Sequence, residues 1–306
     1  MIKINPSPPE NWEKILSVNK LCFRLGYKTR YVKTIADNFQ KYYYANPKII
    51  KGKLRELECT RGDFNLIQKK IHQILSKYPF PAYMMGIARD KSIIDNAKIH
   101  LGNKTLVTID IKNCFPNTDD FHVFNMFRNQ LGYSNKVSSL LTRLTTYKHH
   151  APQGTHCSPV VVALCLLPLC LDIYHFCLDK GFNFGIWVDD IAISGKDPES
   201  YISDYVDLFK KHGYSCRNKK IKIWKGSKTK IITGVGIKNN RLTVSKNRVE
   251  ECMKIVINIA KNSSNTERNK ELQSLKGKIA FIQKLDKMKA NKIINFTKKL
   301  GVKLSS

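Results

Sequence analysis

Three aspartates at the ends of two short apolar segments are the residues of this chain best suited to chemistry. Asp110 ends the segment 105–110, and the pair Asp189 and Asp190 follows the segment 184–188. Both segments are apolar and β-branched, which predicts buried strands. Carboxylates there need a cation, and two Mg²⁺ ions about 3.5–4 Å apart catalyse phosphoryl transfer between nucleotides. An isolated aspartate could merely cap a strand or turn, but a second strand with an adjacent pair is harder to explain that way.

The charge balance predicts a polyanionic partner. The 306 residues contain 53 lysines and arginines against 24 aspartates and glutamates, a formal net charge of +29. Such a charge would repel itself without an anionic partner, and nucleic acid is the default choice. An anionic membrane would also suit the charge, but the sequence shows no basic amphipathic helix with a clean apolar face and no lipidation signal. We therefore expect no membrane partner.

The composition otherwise indicates a cytoplasmic protein with a substantial core. Residues 1–9 lack the long apolar core of a secretory signal. The apolar stretch 160–171 spans only 12 residues, too few to cross a bilayer, and predicts a buried helix bent at Pro168. The nine cysteines include no Cys-x-x-Cys pair, which predicts reduced core thiols. The histidine and cysteine pairs at 149–150 and 156–157 do not complete a zinc site.

Apolar periodicity predicts the elements that position these residues. The aspartate pair lies at the tight turn of a predicted hairpin over 182–194. A two-stranded ribbon is predicted over 47–58, where the pattern alternates around Gly52. The other predicted elements are helices at 11–46, 63–75, 118–131, 134–147, 201–213 and 246–303, a loop leading into a helix at 86–100, and strand-like segments at 220–224 and 230–237.

In their order along the chain, these motifs resemble those of reverse transcriptases. The segment Asn96-Ala-Lys-Ile-His100 matches the Asn-Ala-x-x-His signature of bacterial retron reverse transcriptases, and Ile232-Thr-Gly234 resembles their Val-Thr-Gly signature. Residues 275–283 are similar to the helix that follows the Val-Thr-Gly signature in that family. The resemblance covers about 42–284 and implies an α+β right-hand polymerase. Fingers would occupy 1–104, the palm 105–237 with inserted fingers helices at about 118–150, and a basic, RNA-binding thumb 238–306.

The resemblance implies a metal site with two Mg²⁺ ions, for which Mn²⁺ could substitute. Asp110 and Asp189 would hold both ions, the carbonyl of Ile111 would add a ligand, and Asp190 would support the charge nearby. Where the family usually has Tyr-Ala-Asp-Asp, this chain has Trp187 and Val188 before the aspartates. Tryptophan offers a larger surface to the primer terminus but lacks the phenolic hydroxyl, so the primer contact is expected to differ.

The resemblance also implies a nucleotide-binding set. Arg55 would grip the triphosphate, and Phe115 would be a steric gate against the ribose 2′-hydroxyl, although an ordinary buried phenylalanine fits equally well. Gln153 and Gly154 would lie beneath the incoming nucleotide, or form only the turn that starts a helix at Ser158-Pro159. Lys220 would assist the pyrophosphate leaving group, with Lys219 or Lys222 as substitutes.

RNA recognition is expected from the retron signatures and from the basic C-terminal helices. Structured RNA is bound through phosphates, 2′-hydroxyls and shape, which calls for lysine-rich surfaces. A solvated helix face is the ordinary explanation for such lysines, and Asn96 with His100, four residues apart, could equally make a local structural contact. The RNA-binding candidates are Asn96, His100, Thr233, Gly234, Lys276, Lys278 and Lys284.

By this resemblance the chain is expected to copy its own noncoding RNA into single-stranded DNA with dNTPs, starting from a guanosine 2′-hydroxyl. A separate effector protein and a role in phage defence would accompany it. One alternative is another bacterial reverse transcriptase, related to group II intron or other defence enzymes, although no maturase or endonuclease extension follows the thumb. A further alternative is an RNA/DNA scaffold that restrains an effector without needing polymerisation.

Overall fold

The strands of the molecule form three antiparallel sheets. The computed structural model describes residues 8–50, 52–226, 228–261 and 265–304, and all three sheets lie within these ranges. A ribbon pairs β1 (Tyr43–Ile50) with β2 (Lys53–Thr60). A four-stranded sheet comprises β3 (Thr105–Asp110), β4 (Asn183–Trp187), β5 (Asp190–Gly195) and β6 (Lys222–Trp224), in the order β4-β5-β3-β6. A three-stranded sheet comprises β7 (Lys230–Ile232), β8 (Val235–Lys238) and β9 (Arg241–Thr243).

Helices surround these sheets at most of the predicted positions. The predicted helices within 63–75, 86–100, 118–131, 134–147, 201–213 and 246–303 are confirmed over the described residues. They are α3 (Gly62–Leu75), α4 (Ile93–Lys98), α6 (Asp120–Asn125) continuing as a π-helix (Met126–Gln130), α7 (Asn135–Thr145), α9 (Ile202–Lys211), α10 (Lys246–Lys261), α11 (Asn265–Leu285) and α12 (Lys287–Lys299). The short helix α5 (Cys114–Asn117) was not predicted.

The prediction of one helical segment over 11–46 was wrong. Two short helices, α1 (Val18–Leu25) and α2 (Thr29–Asp37), occupy this region, and β1 begins at Tyr43. Gly26 ends α1 because it adopts a left-handed conformation, with φ of 80°, and its N–H donates to carbonyls of the last turn. Tyr43 belongs to the ribbon because it pairs in register with Thr60 of β2.

The prediction of one strand-like segment over 230–237 was also incomplete. The chain reverses at Thr233 and Gly234, which have φ of 46° and 88°, so β7 and β8 pair antiparallel with Ile232 opposite Val235. Positive φ at two successive residues is typical of a tight hairpin turn. Apolar residues lie close together on both sides of this turn, at 231, 232, 235 and 237, so the segment resembles one strand in the sequence.

The long helix α8 (Ser158–Asp179) is the centre of the main core. It begins with Pro159 in its first turn and continues through Pro168 as one helix. Within the described residues, this helix has the length and hydropathy of a membrane span, but 61% of its most apolar 18-residue stretch is buried in the protein. Its buried side chains pack against β3, β4 and β5. The predicted buried helix is therefore confirmed.

The four-stranded sheet is covered on both faces because its strand residues alternate between two apolar clusters. Val107 and Ile109 of β3 lie in the main core with α8. Leu106 and, on β5, Ala192 lie on the opposite face, where they pack with Ala97 of α4 and with β7 and β8. Helices α10 to α12 form a separate core between Val244 and Val302. The third sheet crosses the predicted palm–thumb boundary at 237/238.

Candidate active site

The sheet register brings the three predicted aspartates together. Asp110 at the end of β3 is directly opposite Asp190 at the start of β5. Trp187 pairs with Asp190, so that Val188 and Asp189 form a two-residue turn between β4 and β5. The N–H of Ile111 donates a 3.1 Å hydrogen bond to the carbonyl of Asp189. Side chains distant in sequence therefore share one end of the sheet.

The turn that carries Asp189 is held in a strained conformation. Val188 has φ of 59°, which is rare for a β-branched residue and costs on the order of 1–3 kcal/mol. The segment before α4 braces the turn: Ile186 N–H donates to the Tyr83 carbonyl at 2.9 Å, and Met85 N–H donates to the Ile186 carbonyl at 3.1 Å. At Gly86 a Cβ would lie only 2.5 Å from the Val188 nitrogen. The close approach therefore requires glycine.

The carboxylates form a strongly anionic site. Burial, followed by the charges of Asp190 and Asp110, raises the pKa of Asp189 to about 6. Lys220 offsets part of this charge, since its Nζ lies 2.6 and 2.5 Å from the two carboxylate oxygens of Asp110. Neither Lys219 nor Lys222 forms an ion pair with Asp110 in the described structure. The site is thus one in which bound cations would relieve repulsion between carboxylates.

The donor set fits magnesium rather than a softer metal. Mg²⁺ is usually held by one or two carboxylates together with substrate phosphates and water, and the Asp110 and Asp189 carboxylates and the Ile111 carbonyl are oxygen donors. Over the described ranges, no group of three or more histidine, cysteine or acidic side chains is placed to hold a metal ion by itself, so phosphate and water would have to complete the coordination. An open, carboxylate-only arrangement leaves positions for phosphate oxygens. The ammonium of Lys220 stands in for part of the positive charge that the site calls for.

Apart from Lys220, which pairs with Asp110, the predicted nucleotide-binding residues lie in two groups. Gln153 and Gly154 pack on β2, where the Glu58 N–H donates to the Gln153 carbonyl at 2.6 Å. Gly154 has φ of 128°, and a Cβ there would lie 3.2 Å from the Cβ of Leu57. Arg55 is an exposed residue of the same strand. Phe115 lies apart from them in α5, half-buried against the main core.

The predicted RNA-binding residues are divided between the interior and the surface. Asn96 and His100 are buried, with 0% and 1% exposure, and His100 Nδ1 shares a 2.7 Å hydrogen bond with the Ser194 hydroxyl of β5. Burial lowers the pKa of His100 to about 3. The Asn96 amide makes no hydrogen bond within the described residues and packs closely against Gly185 of β4. Because both side chains are buried against the sheet, the structure favours a local structural contact over a surface that meets RNA.

Thr233 and Gly234 instead line the cleft of the carboxylates. This cleft of about 530 Å³ also contains Asp110, Asp190 and Lys220. On α11, Lys284 is exposed, while Lys276 and Lys278 are half-buried, and Lys278 pairs with Glu251 at 2.7 Å.

Sequence reasoning missed two residues of the site. Arg248 of α10 lines the cleft, donates a 3.1 Å hydrogen bond to the Gly234 carbonyl and lies over the Phe281 ring at 4.7 Å. It therefore links the hairpin turn to the C-terminal helices. Gly86 supports the aspartate turn. In a chain with 53 basic residues and 16 glycines, neither residue carried a local signal that could have singled it out.

Opposed carboxylates at a strand end and an adjacent hairpin turn, with a lysine beside them, are the arrangement expected of a palm-type nucleotide polymerase. Residues 44–264 match the family model described as reverse transcriptase (RNA-dependent DNA polymerase). The chain belongs to this family and is by that membership an RNA-directed DNA polymerase. The predicted family and α+β polymerase fold are confirmed.

Curated relatives narrow this assignment to retron enzymes. The chain is 26% identical over 252 residues to the retron Ec86 reverse transcriptase of Escherichia coli, covering 81% of this chain and 75% of that protein. It is 28% identical over 192 residues to the retron Se72 reverse transcriptase of Salmonella heidelberg, covering 61% of this chain and 50% of the relative. A solved structure of apo telomerase from Candida tropicalis is similar in fold, with a TM-score of 0.51 and 11% identity over 88% of this chain and 60% of the other.

Proposed function

We propose that this protein is a retron reverse transcriptase that copies its own structured noncoding RNA into single-stranded DNA, primed by a 2′-hydroxyl of that RNA. The observation that carries the polymerase part is the convergence of Asp110, Asp189 and Asp190 beside Lys220. The relatives named retron reverse transcriptases support the specialisation. A noncoding RNA, its DNA copy and dNTPs are the proposed partners, in the cytoplasm, with a separate effector in phage defence.

The packing of the two retron signatures supports a common role for them. Ala97 of the Asn-Ala-x-x-His segment packs with Ile232 and Val235, which flank the Thr233–Gly234 turn. Residues more than 130 positions apart thus form one small apolar cluster on the sheet face opposite α8. We infer that Asn96 and His100 fix the turn that lines the cleft, and that Thr233 and Gly234 meet the nucleic acid.

In the proposed mechanism each residue has a distinct task. Two Mg²⁺ ions, when bound, would stabilise the attacking and leaving oxygens of nucleotidyl transfer. Asp110 and Asp189 would hold them, with the Ile111 carbonyl and Asp190 close by. The Lys220 side chain would move from Asp110 to the phosphates of the nucleotide. There its ammonium can donate a proton to the departing pyrophosphate.

The experiment that tests the polymerase proposal is Asp189→Asn. Removal of this carboxylate should slow nucleotide incorporation on a primed RNA template about 1000-fold or more, because metal-ion stabilisation contributes several kcal/mol. Asp197→Asn is the matched control, since Asp197 is an exposed aspartate with φ of 54° just after β5, a conformation that asparagine also adopts. Full incorporation by a folded Asp189→Asn protein would reject the proposal.

The nucleic acid that copurifies with the protein tests the retron specialisation. A retron enzyme should yield one defined RNA joined covalently to DNA, whereas a general bacterial reverse transcriptase should yield mixed sequences without the joint. Sequencing before and after ribonuclease treatment distinguishes these outcomes. If the biological effect persists in Asp189→Asn, the scaffold interpretation gains over catalysis.

A further inference from the structure

An exposed aromatic side chain lies on a ridge between two clefts away from the carboxylates. Phe121 of α6 is 72% exposed and lines both a cleft of about 920 Å³ and a cleft of about 640 Å³. In the described part of the chain, the residues around these clefts are all different from those around Asp110. Both volumes lie in the range typical of ligand sites. We call Phe121 and its two flanking clefts the Phe121 ridge.

The smaller cleft offers hydrogen-bonding groups of the kind that read a nucleobase. Gln130 is 4% exposed, and its Nε2 has no hydrogen-bond partner among the described residues. The Asn129 Nδ2 donates a 2.9 Å bond to Asn125 Oδ1, which leaves the Asn125 amide nitrogen and the Asn129 amide oxygen to face another molecule. Side-chain amides present a donor beside an acceptor, as the edge of an unpaired base requires.

The backbone at this cleft is unusual as well. Residues Met126–Gln130 form a π-helix directly after α6, a rare geometry found often at functional sites. It carries Gln130 at its last position. A buried amide donor without a partner is costly, so its retention in a cleft points to a ligand that accepts a hydrogen bond there.

The larger cleft supplies positive charge on the other side of the ridge. Lys148 and His149 both have positive φ, at 49° and 63°, and form the two-residue turn between Tyr147 and His150. His149 is 93% exposed and pairs with Asp120 at 2.8 Å. Lys148 lies 5.1 Å from the Tyr147 ring centroid. Lys210 lies across the ridge in the smaller cleft, where it pairs with Asp207 at 3.0 Å. Cations therefore flank the aromatic ring on both sides.

We propose that the Phe121 ridge binds a single-stranded segment of RNA, with one base stacked on Phe121 and its neighbours in the two clefts. Aromatic stacking, amide groups and flanking lysines are the combination that single-stranded RNA recognition uses. A protein partner is less suited to a mixed cleft on a chain of charge +29. This inference rests on the proposed RNA partner and locates a contact for it outside the catalytic cleft.

The test uses full-length protein saturated with an RNA–DNA duplex, so that the catalytic cleft is filled, and a labelled 4-thiouridine oligoribonucleotide of about ten nucleotides. Phe121→Ala should weaken binding of this probe about fivefold or more, because base stacking on an aromatic ring has at least that effect. Phe121→Trp should retain the affinity. Phe23→Ala is the matched control, since Phe23 of α1 is 83% exposed and lines neither cleft.

Two further readouts separate this contact from general charge attraction. Phe121→Ala should leave the salt dependence of the remaining binding unchanged, whereas Lys148→Gln with Lys210→Gln should reduce it. Photocrosslinks should map to α6 and the following π-helix. Crosslinks confined to α10–α12, or equal affinity in Phe121→Ala and Phe23→Ala, would overturn the proposal. It would also be overturned if Phe121→Ala lost binding to a protein partner while its affinity for the RNA probe stayed unchanged. Asp189→Asn should bind the probe normally, because Asp189 lies outside the Phe121 ridge. Failure of the polymerase proposal can therefore be distinguished from failure of this RNA contact.

Discussion

Lys220 and Asp110 form a bidentate ion pair, in which the ammonium lies 2.6 and 2.5 Å from the two carboxylate oxygens. In the proposed mechanism a metal ion would need the same oxygens, so the lysine and the metal would compete for Asp110. The lysine would then leave the aspartate when the site is loaded, and the phosphates of an incoming nucleotide would offer it a new anionic partner.

Lys220→Ala should consequently have two opposite effects. Without nucleotide, Mn²⁺ should bind up to about fivefold more tightly, because a partly exposed ion pair contributes up to about 1 kcal/mol. Nucleotide incorporation should fall about 100-fold or more if Lys220 donates the proton to pyrophosphate. Calorimetric titration with Mn²⁺ and single-turnover incorporation measure the two effects. Lys219→Ala is the control, and unchanged Mn²⁺ affinity in Lys220→Ala would show that no competition exists.

Gly86→Ala should displace the turn that carries Asp189. The new methyl would lie 2.5 Å from the Val188 nitrogen and 3.1 Å from Trp187 backbone atoms, so the backbone must shift. Overpacking of this kind costs about 1–3 kcal/mol, and misplaced carboxylates should also lower incorporation. Urea unfolding and steady-state incorporation test both effects.

Gly277→Ala is the matched control for that substitution. A Cβ at Gly277 in α11 would meet no atom within 4 Å, and alanine in a helix interior is more stable than glycine by about 0.5–1 kcal/mol. This variant should therefore be slightly stabilised and fully active. If Gly86→Ala behaved in the same way, close packing behind the turn would not matter for the site.

The sequence could predict the meeting of Asp110 with Asp189 and Asp190 because each follows a strand with a strong local pattern. It could not identify Gly86 or Arg248, because their roles depend on contacts across the fold: Gly86 meets Val188 and Arg248 meets Gly234. Such contacts are set by how sheets and helices pack. They leave no periodicity in the chain itself.

Phe115→Ala should relax discrimination against ribonucleotides if Phe115 is the steric gate. Phe115 is half-buried five residues beyond Asp110, and loss of its ring would open space beside a bound sugar. The preference for dNTPs over ribonucleotides, as a ratio of kcat/KM, should fall about tenfold or more. Phe80→Ala, also half-buried against the same core, should retain the preference. Equal sugar selectivity in both variants would leave Phe115 an ordinary core residue.

His100 should make the protein less stable as the pH falls. Burial lowers its folded-state pKa to about 3, whereas the unfolded chain has a value of about 6.5. Between these values the unfolded state binds more protons, so the free energy of unfolding should decrease by up to about 1.4 kcal/mol per pH unit on acidification. Urea unfolding at pH 7, 6 and 5 measures how the free energy of unfolding changes with pH. His100→Gln should flatten it, and His175→Gln, which changes an exposed histidine of α8, should not.

Charge reversal on α11 should reduce the salt dependence of RNA binding. Lys276 and Lys284 are separated by eight residues, which places them on one side of the helix. If both contact phosphates, the slope of log K against log salt should fall by roughly 0.7–0.9 for each lysine changed to glutamate. The control is the pair Lys69→Glu and Lys70→Glu on exposed positions of α3. If the α3 and α11 variants change the slope equally, the basic C-terminal helices attract RNA only through overall charge, and the thumb assignment loses its physical basis.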